Sequence, residues 1–330
     1  MNGAVRSLLP PLVMFLIAAG TAEGIPAQQS TGPRHIGVIA PNNAAESESA
    51  RAFRDGLLDA GYAEGRNIVI DWWYSNGDYN HVDDAIASFV ERKVDVIVVE
   101  STVAALATKR ATSTIPIVMA LIADPVGSGL VATLAQPGGN ITGLSMMTTH
   151  LSAKRLELLK EAMPRVTRVA VLWNPSTPWH PRALEDLKRA ASSLSIELTL
   201  HGARNAEEIA AAISAASRAH AEALYVIEDG PFWAHRMILL KAASDRRLPV
   251  IGAQSRFAES GALLSYGVEV AKLWRQSAQY VDRILKGDKP GDLPIQQPTT
   301  FDLVVNLKSA KALDITVPPS VLARADRVIR

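Results

Sequence analysis

Short β-branched runs alternate with longer amphipathic segments along this chain, and the whole series occurs twice. In the first half the runs are Ile36–Ala40, Ile68–Trp73, Asp95–Val99, Ile115–Met119 and Ile141–Ser145. Each is too short for a helix and reads as a strand. Asp95–Val99 is almost continuously apolar, the pattern of a strand covered on both faces. Between the runs, apolar residues recur at helical spacing over about 46–61, 81–91, 102–112 and 126–135. Gly61 reads as the stop of the first of these helices. In the second half, runs at Val169–Trp173, Ile196–His201, Ala223–Ile227, Leu248–Ile251 and Leu263–Gly267 keep the same order, each about 120–133 residues on. Helical segments at 181–193, 204–219 and 232–245 fill the corresponding slots.

Such alternation implies parallel sheets with right-handed crossovers and helices on both faces. The doubling makes the expected fold class α/β, with two similar doubly wound parallel-sheet lobes. Ligands of these sheets lie beyond the carboxyl ends of the strands, so two facing sets of ends frame an interdomain cleft. The loops at those ends are Pro41-Asn42-Asn43, Glu100-Ser101-Thr102, Ala123-Asp124-Pro125, Asn174-Pro175-Ser176, Glu228-Asp229-Gly230 and Gly252-Ala253-Gln254. All are polar, and most stand at a helix N-terminus, where unpaired amides and the helix dipole favour an anion.

The candidate ligand-binding residues are therefore Asn42, Ser101, Thr102, Asp124, Asn174, Asp229, Trp233 and Tyr266. Ser101, Thr102 and nearby amides suit a carboxylate. Asp124 and Asp229 suit an ammonium group through charge-assisted hydrogen bonds. Trp173, Phe232, Trp233 and Tyr266 stand beside these loops and can hold an apolar or aromatic body. A small zwitterion such as an amino acid fits this set. Two readings compete at each polar position, since Ser, Thr, Asn and Asp are also the preferred helix caps. Core packing competes at each aromatic, and is the better reading for Trp72, Trp73 and Trp274.

Catalytic signatures are not found. The loop after the first strand has no Gly, which excludes a dinucleotide fingerprint there, and Gly127-Ser128-Gly129 lacks the third Gly. There is no phosphate-loop Gly-Lys-Ser/Thr and no G-x-S-x-G elbow. The seven His show no metal-ligand spacing, so neither a metal nor a cofactor is expected. The absence of Cys excludes disulfides, thiolate metal sites and thiol catalysis. With 34 basic against 33 acidic residues, no general attraction to nucleic acid or anionic lipid is expected.

Residues 1–27 read as a signal peptide: Arg6, an apolar stretch over Leu8–Ala19, then small residues, with cleavage after Ala22 or Ala27. An N-terminal membrane anchor is the competing reading, although the apolar stretch is short of the roughly 20 residues a bilayer needs. The mature protein is expected to be periplasmic.

The segments FRDGLLDAGYAEGRNIVIDWWY (53–74), KVDVIVVESTVAALATKRATSTIPIV (93–118), ADPVGSGLVATLAQPGGNITGLS (123–145), KRLELLKEAMPRVTRVAVLWNP (154–175) and QQPTTFDLVVNLKSAKALDITVPPSVLARADRVI (296–329) resemble the substrate-binding proteins of bacterial ABC transporters. The similarity is to the branch often named for tryptophan or tyrosine uptake, and it covers nearly all of 34–329. It implies the type I periplasmic-binding-protein fold, with lobes of 34–144 plus 269–287 and 145–266 plus 301–330, joined by a three-crossing hinge. It also implies no enzyme activity, a monomer, hinge closure on a small molecule, and an ABC permease in the inner membrane as partner. A sensory component signalling to a membrane receptor is the alternative. The chain departs from the family's common residues at Glu100-Ser101-Thr102 and Glu228-Asp229-Gly230, inside expected cleft loops, so its ligand can differ from the namesakes.

Overall fold

The computed structural model describes Met1 and residues 32–40, 47–146 and 148–330, with the side chains of 148–150 left aside. The expected signal peptide and Asn42 lie outside the described residues. The first lobe runs β1 (Arg34–Ala40), α1 (Glu48–Asp59), β2 (Ile68–Tyr74), α2 (Val82–Glu91), β3 (Val96–Val99), α3 (Thr102–Ala111), β4 (Ile117–Ile122) and β5 (Ile141–Ser145). Its five strands are all parallel, in the order β2-β1-β3-β4-β5. The second lobe runs α4 (Thr148–Ala162), β6 (Arg168–Trp173), α5 (His180–Ser193), β7 (Glu197–Gly202), α6 (Ala206–Arg218), β8 (Ala223–Val226), α7 (Gly230–Ala234), α8 (Arg236–Ser244), β9 (Val250–Gly252), α9 (Ser255–Glu259) and β10 (Leu264–Gly267). Its order β7-β6-β8-β9-β10 reproduces that of the first sheet, again all parallel.

Burial explains the strand sequences. The central strands β3 and β4 are buried along their whole length, as two-sided helix cover requires. The edge strands β2 and β7 are only partly buried, and there charged and polar residues such as Asp71 and Glu197 appear. Separate apolar clusters fill the outer face of each sheet, one around Phe89, Ile97 and Met119 and the other around Leu172, Ile213 and Phe257. A third cluster runs through both lobes, from Phe53 and Val98 to Val171 and Val305.

After β10 the chain enters α10 (Val270–Leu285), whose buried stripe of Val270, Leu273, Trp274, Ser277, Ala278, Val281 and Ile284 follows helical spacing. It packs on α1, β4 and β5 of the first lobe. The approach to α1 needs Gly56, where a Cβ would stand 2.6 Å from the Arg275 carbonyl oxygen. The chain then returns through a 3₁₀ turn (Pro290–Asp292) to β11 (Asp302–Asn306), α11 (Leu307–Ala312), α12 (Pro319–Leu322) and β12 (Arg327–Ile329). Here the sheet differs from an all-parallel one: β11 is antiparallel to β10, with Asp302 opposite Gly267. The reason is the excursion itself. The chain leaves the second lobe at the carboxyl end of β10 and re-enters at that same end, so its next strand must run backwards.

Two helical expectations need correction. Residues 126–135 form turns, not a helix. The Asp124 carboxylate accepts the Gly127 amide at 2.8 Å, and Gly129 adopts φ +70°. Glycines at 127 and 129 also penalise a helix. The expected helix 232–245 is two, broken at His235, with the single turn α7 carrying Phe232 and Trp233 and α8 burying Leu239 and Leu240. Among the described residues no helix is long and apolar enough to cross a membrane.

Candidate functional site

A cavity of about 510 Å³, open mouth included, lies between the carboxyl ends of the two sheets. From the first lobe come Tyr79, Glu100, Ser101, Thr102, Leu121 and Met146. From the second come Thr177, Trp179, Glu228, Asp229, Trp233 and Gln254. The end of β3 delivers Glu100 and the α3 cap, where Ser101 Oγ accepts the Ala104 amide at 3.1 Å. The next amides, of Thr102 and Val103, belong to the first turn, which has no intrahelical acceptors. The end of β8 delivers Glu228 and Asp229 to the start of α7. Gly230 permits close contact between the lobes, since a Cβ there would lie 2.6 Å from the Tyr79 hydroxyl.

Three carboxylates are buried here. Asp229 accepts the Thr177 hydroxyl at 2.5 Å and the Asn174 side-chain amide at 3.4 Å. Burial still pushes its carboxyl up to about 6. Glu228 is pushed up to about 7 by burial, with Arg155 and Arg256 pulling the other way and Asp229 and Glu100 adding to the rise. One Glu228 oxygen accepts from Gln254, while Oε2 is buried with no hydrogen-bond partner. Glu100 is raised by burial against the opposing pull of Arg256 and the Trp274 indole N–H. His180, fully buried behind Asp229, accepts the Asn174 amide on Nδ1 at 2.9 Å, which leaves its ring proton on Nε2. That proton faces the Glu228 carbonyl at 3.0 Å and Asp229 Oδ2 at 3.3 Å. Burial lowers this imidazole to about 3, so it is neutral and its contact with Asp229 is not an ion pair.

A second cavity, about 310 Å³, adjoins the first and shares Glu100 and Trp233 with it. Its wall includes Trp72, Tyr74 and Trp274. The Trp72 and Tyr74 rings stack at 5.9 Å, and Phe53 meets Trp72 and Trp274 edge-on. Arg256 spans the lobes here: its guanidinium lies 3.6 Å from Glu100 and 3.4 Å from the Ser49 hydroxyl. It also stacks 4.0 Å over Trp233, as Arg236 does.

Of the sequence candidates, Ser101, Thr102, Asp229 and Trp233 line the first cavity together. Asn174 stands one layer behind, holding Asp229 and capping its own turn through the Ser176 amide. Asp124 caps the turn at Gly127 and lies 3.9 Å from Arg182, away from the lining. Tyr266 packs on Phe301, and its carbonyl accepts Arg155 Nε at 2.6 Å, so it too is absent from the lining. Sequence reasoning named the loops of Glu100, Glu228 and Gln254 without choosing those residues, and it missed Tyr79, Trp179 and Arg256. Arg256 had a signal in its place two residues after the β9 loop. Trp72 and Trp274, read as core, pack in the core and also face the second cavity.

Residues 36–329 match the family described as ABC transporter substrate binding protein. The chain belongs to that family. It is a family of solute-binding proteins rather than of enzymes. A tyrosine-binding protein of Clostridioides difficile is 31% identical over 269 residues, covering 81% of this chain and 77% of that relative. Among solved structures, a Streptococcus pneumoniae ABC domain in complex with L-Trp is 27% identical, covers 90% of this chain and 100% of that one, and has a TM-score of 0.83. A ligand-free, open substrate-binding protein with adhesive properties from Clostridium difficile is 30% identical, covers 90% and 99%, and has a TM-score of 0.64. The fold is the type I periplasmic-binding-protein fold, two α/β lobes with a cleft between them.

Proposed function

We propose that this protein captures a small molecule outside the cytoplasm for an ABC importer, closing its two lobes on the ligand and presenting the closed form to a membrane permease. The observation that carries the reading is the cavity between matched strand ends, largely apolar but with buried carboxylates from both lobes. Closure is supported by the interlobe contacts of Arg256 and Gly230. It is also supported by the TM-scores, higher against the L-Trp complex than against the open, ligand-free relative at nearly equal coverage. The family places the protein at the periplasm or cell surface; residues 1–27 as a cleaved signal peptide are the proposed route. The working form is taken to be a monomer, with lobes 34–144 plus 269–287 and 145–266 plus 301–330.

The ligand is an amino acid or a close ammonium-bearing relative. Asp229 and Glu228 are placed to take the ammonium group, and the start of α3 at Ser101 and Thr102 to take an acidic group. Trp233 would meet the apolar body. Mass spectrometry of molecules released on denaturing protein purified from the periplasm tests the proposal. A released amine-bearing molecule that raises the melting temperature when added back is the expected result. A panel of amino acids and amines that leaves the melting temperature unmoved, with nothing released, counts against it.

A further inference from the structure

We propose that the ligand this cavity selects carries a net positive charge, as an alkyl or arylalkyl amine without a carboxylate does, in preference to the zwitterionic amino acid of the same side chain. The inference deepens the proposed function and rests on it. Among the described residues the lining contains three carboxylates, of Glu100, Glu228 and Asp229, and no Lys, Arg or His side chain. Glu228 is 5% exposed, and its Oε2 has no hydrogen-bond partner. A buried carboxylate oxygen left bare is costly, and an ammonium group satisfies it with a charge-assisted hydrogen bond.

The nearby guanidiniums make their hydrogen bonds elsewhere, although Arg155 and Arg256 also act on Glu228 through space. Arg256 is held by Glu100 and by Gln254 Oε1 at 2.9 and 2.7 Å. Arg155 gives its Nε to the Tyr266 carbonyl at 2.6 Å. Arg236 lies over the Trp233 ring and donates to the Trp233 carbonyl at 3.2 Å. A ligand carboxylate would therefore depend on neutral donors, the first turn of α3 and the Tyr79 hydroxyl, which is buried with no hydrogen-bond partner. Glu100 immediately precedes that turn and lines the same cavity, so the approach of a second anion is opposed by like charge. The other titratable neighbours do not reverse this: His180 is held neutral by burial, and Tyr79 is pushed up to about 12, also by burial.

Matched pairs isolate the carboxylate. Titration calorimetry at pH 8 on the full-length mature protein would compare tyramine with tyrosine, tryptamine with tryptophan, and isoamylamine with leucine. The expected result is that, in the pair whose side chain fits, the amine binds at least tenfold more tightly. Glu228→Gln should weaken that amine at least tenfold and its amino acid by less, shrinking the ratio. An amino acid that binds as tightly as its amine overturns the inference and leaves the substrate-binding reading in place. A ratio unchanged in Glu228→Gln overturns it as well. Silence from all three amines also overturns it. Joined with no small molecule released from the purified protein, that silence overturns the proposed function too.

Discussion

Replacing Glu228 with Gln removes a buried acid while preserving its shape, and the effect on stability should depend on pH in a defined way. In the folded chain this carboxyl is raised from the ordinary 4.5 to about 7, chiefly by burial. The folded state therefore holds the proton more tightly than the unfolded state does. The associated stability is complete below about 4.5 and lost as pH rises through about 7. Integrated between pH 5 and 8, a shift of this size is worth about 2.5 kcal/mol. The absolute profile of the wild type also carries His180, lowered to about 3, whose contribution runs the other way, being lost as pH falls from about 6.5 towards 3. Asp229 adds a further loss of stability as pH rises through about 6. The difference between variant and wild type removes both contributions. Urea unfolding of the ligand-free protein at pH 5 and pH 8 should show Glu228→Gln gaining about 2.5 kcal/mol relative to wild type at the higher pH. Parallel profiles, agreeing within about 0.5 kcal/mol, the scale of ordinary surface substitutions, would refute the argument, because they would mean that the carboxyl is solvated in the folded protein.

Binding of an amine should release protons, since Glu228 at about 7 and Asp229 at about 6 must ionise to accept it. Calorimetry at pH 6.5 in two buffers of different ionisation enthalpy should show that release, and affinity should rise from pH 5 to pH 8. Arg256→Ala leaves Glu100 buried without its cross-lobe partner, a change worth about 3–5 kcal/mol. Small-angle scattering of that variant should show a larger radius of gyration than wild type in the presence of ligand, and an unchanged radius would argue against a bridging role. Gly56→Ala places a Cβ 2.6 Å from the Arg275 carbonyl oxygen. Thermal unfolding should report a loss of about 1–3 kcal/mol, as overpacking generally gives, with ligand affinity little changed.

The fold was legible because its central strands carry their own signature. Runs such as VIVV in β3 and the central VAVL of β6 are buried on both faces, and such two-sided positions favour apolar residues. The doubling of that pattern foretold two similar lobes, and the strand order shared by their sheets is what the structure adds. The turns at 126–135 were misread because Val126, Leu130 and Leu134 recur at a helical spacing of four without being helical. The reversal of β11 was hidden because it depends on where α10 docks, a long-range fact with no local trace. In the site, residues that cap helices and residues that face a ligand use the same chemistry. Ser101 does both, whereas Asp124 caps a turn and stays clear of the cavity. Arg256 escaped notice for a related reason: its role depends on a partner on the opposite lobe, more than 150 positions away in sequence.

The same electrostatics bears on why closure should wait for ligand. In the proposed cycle, bringing the lobes together removes Glu100, Glu228 and Asp229 from water. Glu100 is met across the cleft by Arg256, while the Trp274 N–H holds Glu100, and Thr177 and Asn174 hold Asp229, from within their own lobes. Glu228 Oε2 has no hydrogen-bond partner, and Arg155 and Arg256 offset its burial only in part. Closure without a cation must then either bury an anion with one oxygen bare or take up a proton, and near neutral pH both are unfavourable. An ammonium ligand removes that penalty only in the closed arrangement, so its differential affinity for the two states is built into one carboxylate oxygen. A shift from mostly open to mostly closed needs about 5.5 kcal/mol of such preference, more than the roughly 3 kcal/mol that a pKa displaced from 4.5 to about 7 represents. The remainder must come from apolar contact with the ligand body, and Trp233 and the Trp72–Tyr74–Trp274 wall are the surfaces that can supply it. An amine with too small a body, such as methylamine, should therefore occupy the acidic end without closing the lobes.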